Sequence, residues 1–69
     1  MFSERLKASR KEARLTQVEL AKILKVSTGT IGMWETGKRE PKFEAMVQLS
    51  KTLNKSVDYL LGLSENDSP

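Results

Sequence analysis

The sequence predicts an all-α fold, a bundle of five short helices in which the second and third are joined by a tight turn. Three observations lead there. Apolar residues recur at three- and four-residue intervals in successive stretches; Ser and Thr residues stand where helix N-caps are needed; and 69 residues suffice for one small domain only. A domain of that size buries only about 60% of the surface its unfolded chain exposes, so its core must be tight and mostly helical.

In chain order, Ser3 is placed to cap a first helix running to about Ala13. Phe2, Leu6 and Ala13 face inward and Glu4, Lys7, Lys11 and Glu12 outward. Arg14-Leu15 links to Thr16, which forms a T-x-x-E capping box with Glu19 and starts a helix at Gln17. That helix reaches Leu24 on a stripe of Leu20, Ala21 and Leu24, and Lys25-Val26 make the turn. Ser27 then caps a third helix that carries Ile31 and Trp34 inward until Gly37. Two helices in about 20 residues with so short a turn describe a helix-turn-helix, whose second helix can enter a DNA major groove. Pro41 stops any helix before Phe43 to Leu53, where Phe43, Met46, Val47, Leu49 or Ser50, and Leu53 keep helical spacing. Asn54-Lys55 closes that helix, Ser56 caps a short fifth, and Gly62 ends it. Residues 1–62 thus form the domain. Residues 63–69 have the polar, turn-prone composition of a flexible tail or the start of a linker.

Composition narrows the chemistry. Without cysteine or histidine the chain has no disulfide framework, no thiolate or imidazole metal site and no Ser-His or Cys-His pair, and its carboxylates are scattered over exposed helical faces. Neither catalysis nor a cofactor, metal or small-molecule ligand is indicated. The first residues lack a basic segment followed by an apolar run, and nothing approaches about 18 consecutive apolar residues, so a soluble, cytoplasmic protein is expected. Gly32 to Lys38 spells a nucleotide-binding loop, G-x-x-x-x-G-K, but Arg39 follows where Ser or Thr is needed and no strand precedes it. The charge of +3, from 12 basic and 9 acidic side chains, is too mild by itself to imply a polyanion partner. Its distribution says more: Lys38, Arg39 and Lys42 cluster after the third helix, while Glu65 and Asp67 lie in the last residues.

Leu15-Thr16-Gln17, Glu19-Leu20-Ala21, Ile31, Trp34 to Lys38, Pro41 and Ser56 to Gly62 together resemble the lambda-type phage repressor and Cro proteins, the XRE family. The resemblance covers roughly residues 2 to 62 and implies a lambda-repressor-like five-helix fold. It implies that Arg10 clamps the third helix through Glu35, that Gln17 binds phosphate, and that a small residue is wanted at Ala21, where two helices approach closely. The alternatives are a free surface Arg10 and an Ala21 that is simply a good helix former. The family's dimer region maps onto Val57 and Leu60, which otherwise pack inside the monomer with Leu61. Lys25 departs from the family's usual glycine; a left-handed lysine costs on the order of 1 kcal/mol, so a slightly different turn is expected.

The third helix should show Thr28, Gly29, Thr30, Gly32 and Met33 to the bases, a face without Arg, Gln or Asn. Readout should then be modest and largely apolar, leaning on operator shape and half-site spacing. The two glycines either let the helix sit deep in the groove or mark a tolerated weak helix. Phosphate contacts are expected from Gln17, Ser27, Lys38, Arg39 and Lys42. Trp34 is expected in the core, its indole N–H within reach of a phosphate at the rim. With these features, the resemblance implies a transcriptional repressor of phage or prophage type that binds a palindromic double-stranded operator as a homodimer. The rivals are an antitoxin or restriction-modification controller with the same domain and, in another class, a helical protein-interaction module. The residues fit equally a complete Cro-like regulator and the amino-terminal part of a longer repressor.

Overall fold

Hydroxyl caps set three of the helix starts. Thr16 Oγ1 accepts from the Glu19 N–H while Glu19 returns its carboxylate to the Thr16 N–H, Ser27 Oγ accepts from Thr30, and Ser56 Oγ accepts from Tyr59. In the computed structural model, which describes Met1–Pro69, the helices are α1 (Phe2–Glu12), α2 (Gln17–Leu24), α3 (Thr28–Glu35), α4 (Phe43–Leu53) and α5 (Val57–Leu60). Helix α3 packs on both α1 and α2, α2 also meets α4, and α5 closes the bundle against α1 and α4. Leu6, Leu20, Ala21, Leu24, Ile31, Trp34, Met46, Leu49, Leu53 and Leu60 form one buried core. No helix is long and apolar enough to cross a membrane.

Several expectations are corrected. Ser3 does not cap α1: the helix begins two residues earlier than such a cap requires, with Met1 at the N-cap position, and the terminal ammonium pairs with Glu4 at 2.8 Å. Ala13 lies past the end of α1 and is exposed, whereas Ser9 and Arg10 are buried. Phe43 is 81% exposed because α4's inner stripe is Met46, Leu49 and Leu53, and the first residue of the helix has no neighbour to cover it. Leu60 is 0% exposed. Its side chain is spent on the monomer core, so it has no surface for a dimer contact; Val57 is half-buried and Leu61 is exposed.

Backbone strain is concentrated in the connections. Arg14, Lys25 and Asn54 all take positive φ, near 60°, without being glycine. Lys25 therefore adopts the left-handed turn despite its Cβ, at φ 59° and ψ 41°, and its amide caps the carbonyls of Ala21 and Lys22. The expected change of turn does not occur. At Gly62, with φ 81°, a Cβ would also overlap the Met1 side chain, so a glycine is needed there on two counts.

Residues 63–69 run back over the domain. The Asp67 carbonyl accepts from the Ser56 N–H at 3.0 Å, and the Ser64 carbonyl accepts from Arg5 at 2.7 Å.

Candidate nucleic-acid interface

Helix α3 has an inner and an outer side of different character. Ile31, Trp34 and Glu35 are buried, while Thr28 and Gly29 are exposed and Thr30, Gly32 and Met33 are half-buried. Trp34 thus lies in the core. The five residues expected at the bases share one outward face, opening where the first amides of α3 have no carbonyl partner within the helix. Of the hydroxyls there, Ser27 Oγ and Thr30 Oγ1 are 2.8 Å apart and bonded to each other, and Thr36 Oγ1 donates to the Gly32 carbonyl at 2.9 Å. Neither glycine is demanded by the protein: a Cβ on Gly32 would meet nothing within 4 Å, and one on Gly29 only Ser27 Oγ at 3.8 Å.

Beside this face lies a cleft of about 300 Å³ lined by Val26, Thr30, Met33, Trp34, Pro41 and Ala45, with Arg39 and Lys42 among its remaining walls. Gly37, at φ 78°, turns the chain out of α3, and the Lys38 and Arg39 amides both donate to the Met33 carbonyl. Lys38, Arg39 and Lys42 are exposed and form no ion pair. Their charge is available to a partner.

Behind the face, Arg10 and Glu35 meet in a bidentate pair, Nε to Oε2 and Nη2 to Oε1 at 3.1 Å, with side-chain exposures of 10% and 2%. Arg10 Nη1 also donates to the Leu15 carbonyl at 2.8 Å, and Gln17 Nε2 donates to Glu35 Oε1 at 3.1 Å. One carboxylate on α3 thereby gathers the end of α1 and the start of α2. This joins two expected sites: Gln17, expected at a phosphate, is oriented by the same carboxylate that Arg10 holds. Helical spacing carries no signal for the Gln17 bond, because 18 residues separate the partners and only the packing of α2 on α3 brings them together.

A second polar centre was not expected from the sequence. Lys55, 6% exposed, donates to Glu12 and to Asp67, each at 2.7 Å. Asp67 first, then Glu12, holds the ammonium protonated well above the usual lysine range, and Lys55 in turn holds the Asp67 carboxyl below the usual carboxylate value. Arg5 does similar work on the other side of α5. It stacks 4.2 Å above the Tyr59 ring and donates to the Tyr59 carbonyl and to Glu65. The acidic residues of the last segment are thus matched by Arg5 and Lys55, and the cations after α3 are left unmatched.

Comparison with known proteins agrees with this geometry. A helix-turn-helix family model matches residues 6–60. The chain is 41% identical over 61 residues to Repressor protein C2 of Salmonella phage P22, covering 88% of this chain and 28% of that protein. It is 39% identical over 67 residues to the uncharacterized HTH-type transcriptional regulator YqaE of Bacillus subtilis, covering 97% of this chain and 58% of that one. It thus spans little more than half of one relative and under a third of the other. Among solved structures, the P22 c2 repressor in complex with synthetic operator 9T superposes with a TM-score of 0.87 at 39% identity, covering 93% of this chain and 97% of that one. With a family model matched over residues 6–60 and a fold that superposes on an operator-bound repressor, the chain belongs to the XRE helix-turn-helix family.

Proposed function

We propose that this chain is a sequence-specific regulator of transcription that lays α3 in the major groove of a palindromic operator, pairs with a second copy on the DNA, and represses by occupancy. The observation that carries the reading is the outer face of α3, a separate helix on which Thr28 and Gly29 are exposed and Thr30, Gly32 and Met33 half-buried, in a fold matching an operator-bound repressor. Phosphates on either side of the groove are met by Lys38, Arg39 and Lys42, by the Ser27 cap with the amides behind it, and by the Gln17 amide that Glu35 orients. Val57 is the apolar group of α5 left for the second copy. Such a role places the chain in the cytoplasm with the DNA, and it needs no catalytic group, cofactor or metal.

Selection of bound sites from random duplexes tests the reading, since one experiment returns half-site sequence, symmetry and spacing. A two-fold site is expected. Binding to it should weaken steeply with salt, with a log–log slope of about −5 if the three cations of each copy neutralise one phosphate apiece. Recovery of random sequence, or an affinity indifferent to salt, would refute it.

A further inference from the structure

We propose that residues 63–69 form a strap that holds α5 where it meets a second copy, with Arg5 and Asp67 as the positioning residues. The inference rests on the reading above that α5 supplies the pairing contact, and it names what keeps that contact in place.

A helix of four residues has little stability of its own, because nucleating one turn fixes about six dihedrals for a single hydrogen bond. Leu60 anchors the far end of α5 in the core, but Val57 is its first residue and is only half-buried. That end is held from outside. The chain reverses at Gly62 and returns along α5 from the Leu63 N–H, which donates to the Asp58 carbonyl at 2.8 Å, to the Asp67 carbonyl, which accepts from Ser56. Ser56 Oγ, which caps the helix, also donates to the Asn66 carbonyl at 3.2 Å. The strap therefore spans α5 and closes on the residue directly before Val57.

A cation fastens each end. Arg5 of α1, its side chain 13% exposed, donates from Nη1 to the Tyr59 and Ser64 carbonyls, each at 2.7 Å, and from Nη2 to Glu65 at 2.9 Å. One planar guanidinium thus joins α1, α5 and the strap, a geometry that a compact ammonium reproduces poorly. Lys55 joins Glu12 of α1 to Asp67 at the other end. The Glu65 carboxylate is too exposed for its pair to contribute much, so the hold comes from the carbonyl bonds and from Asp67. Terminal segments are ordinarily loose unless tied down in this way. With the strap open, Ser56 loses its partner and α5 frays from the end that carries Val57.

The test uses the full chain. Asp67→Lys sets a second ammonium against Lys55 and opens the strap, whereas Asp67→Asn removes the charge alone. Hydrogen exchange at the Ser56 amide reports the closure directly. Fluorescence anisotropy at one salt concentration compares the selected palindrome with a duplex holding a single half-site. In Asp67→Lys the Ser56 amide should exchange at least about tenfold faster. The ratio of palindrome to half-site affinity should fall about tenfold, with no loss at the half-site. Asp67→Asn should lie between this variant and the wild type, and Arg5→Lys should lower the ratio as well. An opened Ser56 amide with an unchanged ratio would overturn the role in pairing, and so would an equal loss on both duplexes. A Ser56 amide unprotected in the wild type would overturn the strap itself. Failure to select any duplex, or a wild type that binds the palindrome no better than the half-site, would instead overturn the reading on which the inference rests.

Discussion

At Gly32 the protein and its partner pull in opposite directions. A Cβ there would touch nothing in the protein, and the backbone is helical, so alanine should stabilise α3 by about 0.5 to 1 kcal/mol. Gly32→Ala is expected to raise the melting temperature by about 2 to 8 °C and to weaken operator binding, because the new methyl occupies the space toward the bases. Calorimetry and anisotropy on the same preparation check the two halves. A variant that gained stability without losing affinity would show that α3 does not approach the bases closely at this residue. Lys25 poses a simpler case. Its side chain is exposed and its φ is 59°, so Lys25→Gly removes the left-handed strain at the cost of a more flexible unfolded chain. A net gain of up to about 1 kcal/mol is expected in urea titration.

For the helices as units, the decisive contact is the Glu35 carboxylate with Arg10 and Gln17. Arg10→Met alone would strand a buried carboxylate, so it should cost about 3 to 5 kcal/mol and threaten folding of so small a domain. The 2% exposure of the Glu35 side chain is what makes the loss of its partner so costly. Replacing both partners, Arg10→Met with Glu35→Leu, should restore most of the stability. Operator affinity should remain low in the double variant, because Gln17 has lost the carboxylate that aims it. Chemical denaturation beside a binding titration separates these outcomes, and full affinity in the folded double variant would argue that the clamp does not serve the interface.

Over the whole molecule, the last segment is tied to α1 and α5 through Lys55, and this makes stability depend on pH at both extremes. The Asp67 carboxyl is lowered from its usual 3.8, so its contribution is complete above that value and disappears as pH falls through the depressed folded value. The Lys55 ammonium is raised from 10.5, so its contribution is complete below that value and fades as pH climbs beyond it. Urea midpoints for the wild type and Asp67→Asn should differ most between about pH 5 and pH 10 and converge in acid below 3.8. A gap that stayed unchanged as the pH fell through the depressed Asp67 value would mean that Asp67 does not act through its charge.

The sequence alone determined the helices, the turn and the outward face of α3. Capping boxes, hydroxyl caps and apolar spacing act over three or four residues, and that is the range at which a one-dimensional pattern can be read. Thr16 with Glu19, Ser27 before Thr28, and the inward Ile31 and Trp34 were all legible this way. Tertiary structure alone decided which polar groups meet and which apolar ones stay covered. Gln17 reaching Glu35, Lys55 held between Glu12 and Asp67, Leu60 sealed in the core and Phe43 left outside depend on how helices distant in sequence pack. Those outcomes turn on gaps of one side-chain width between elements, a distance that no local pattern of residues encodes.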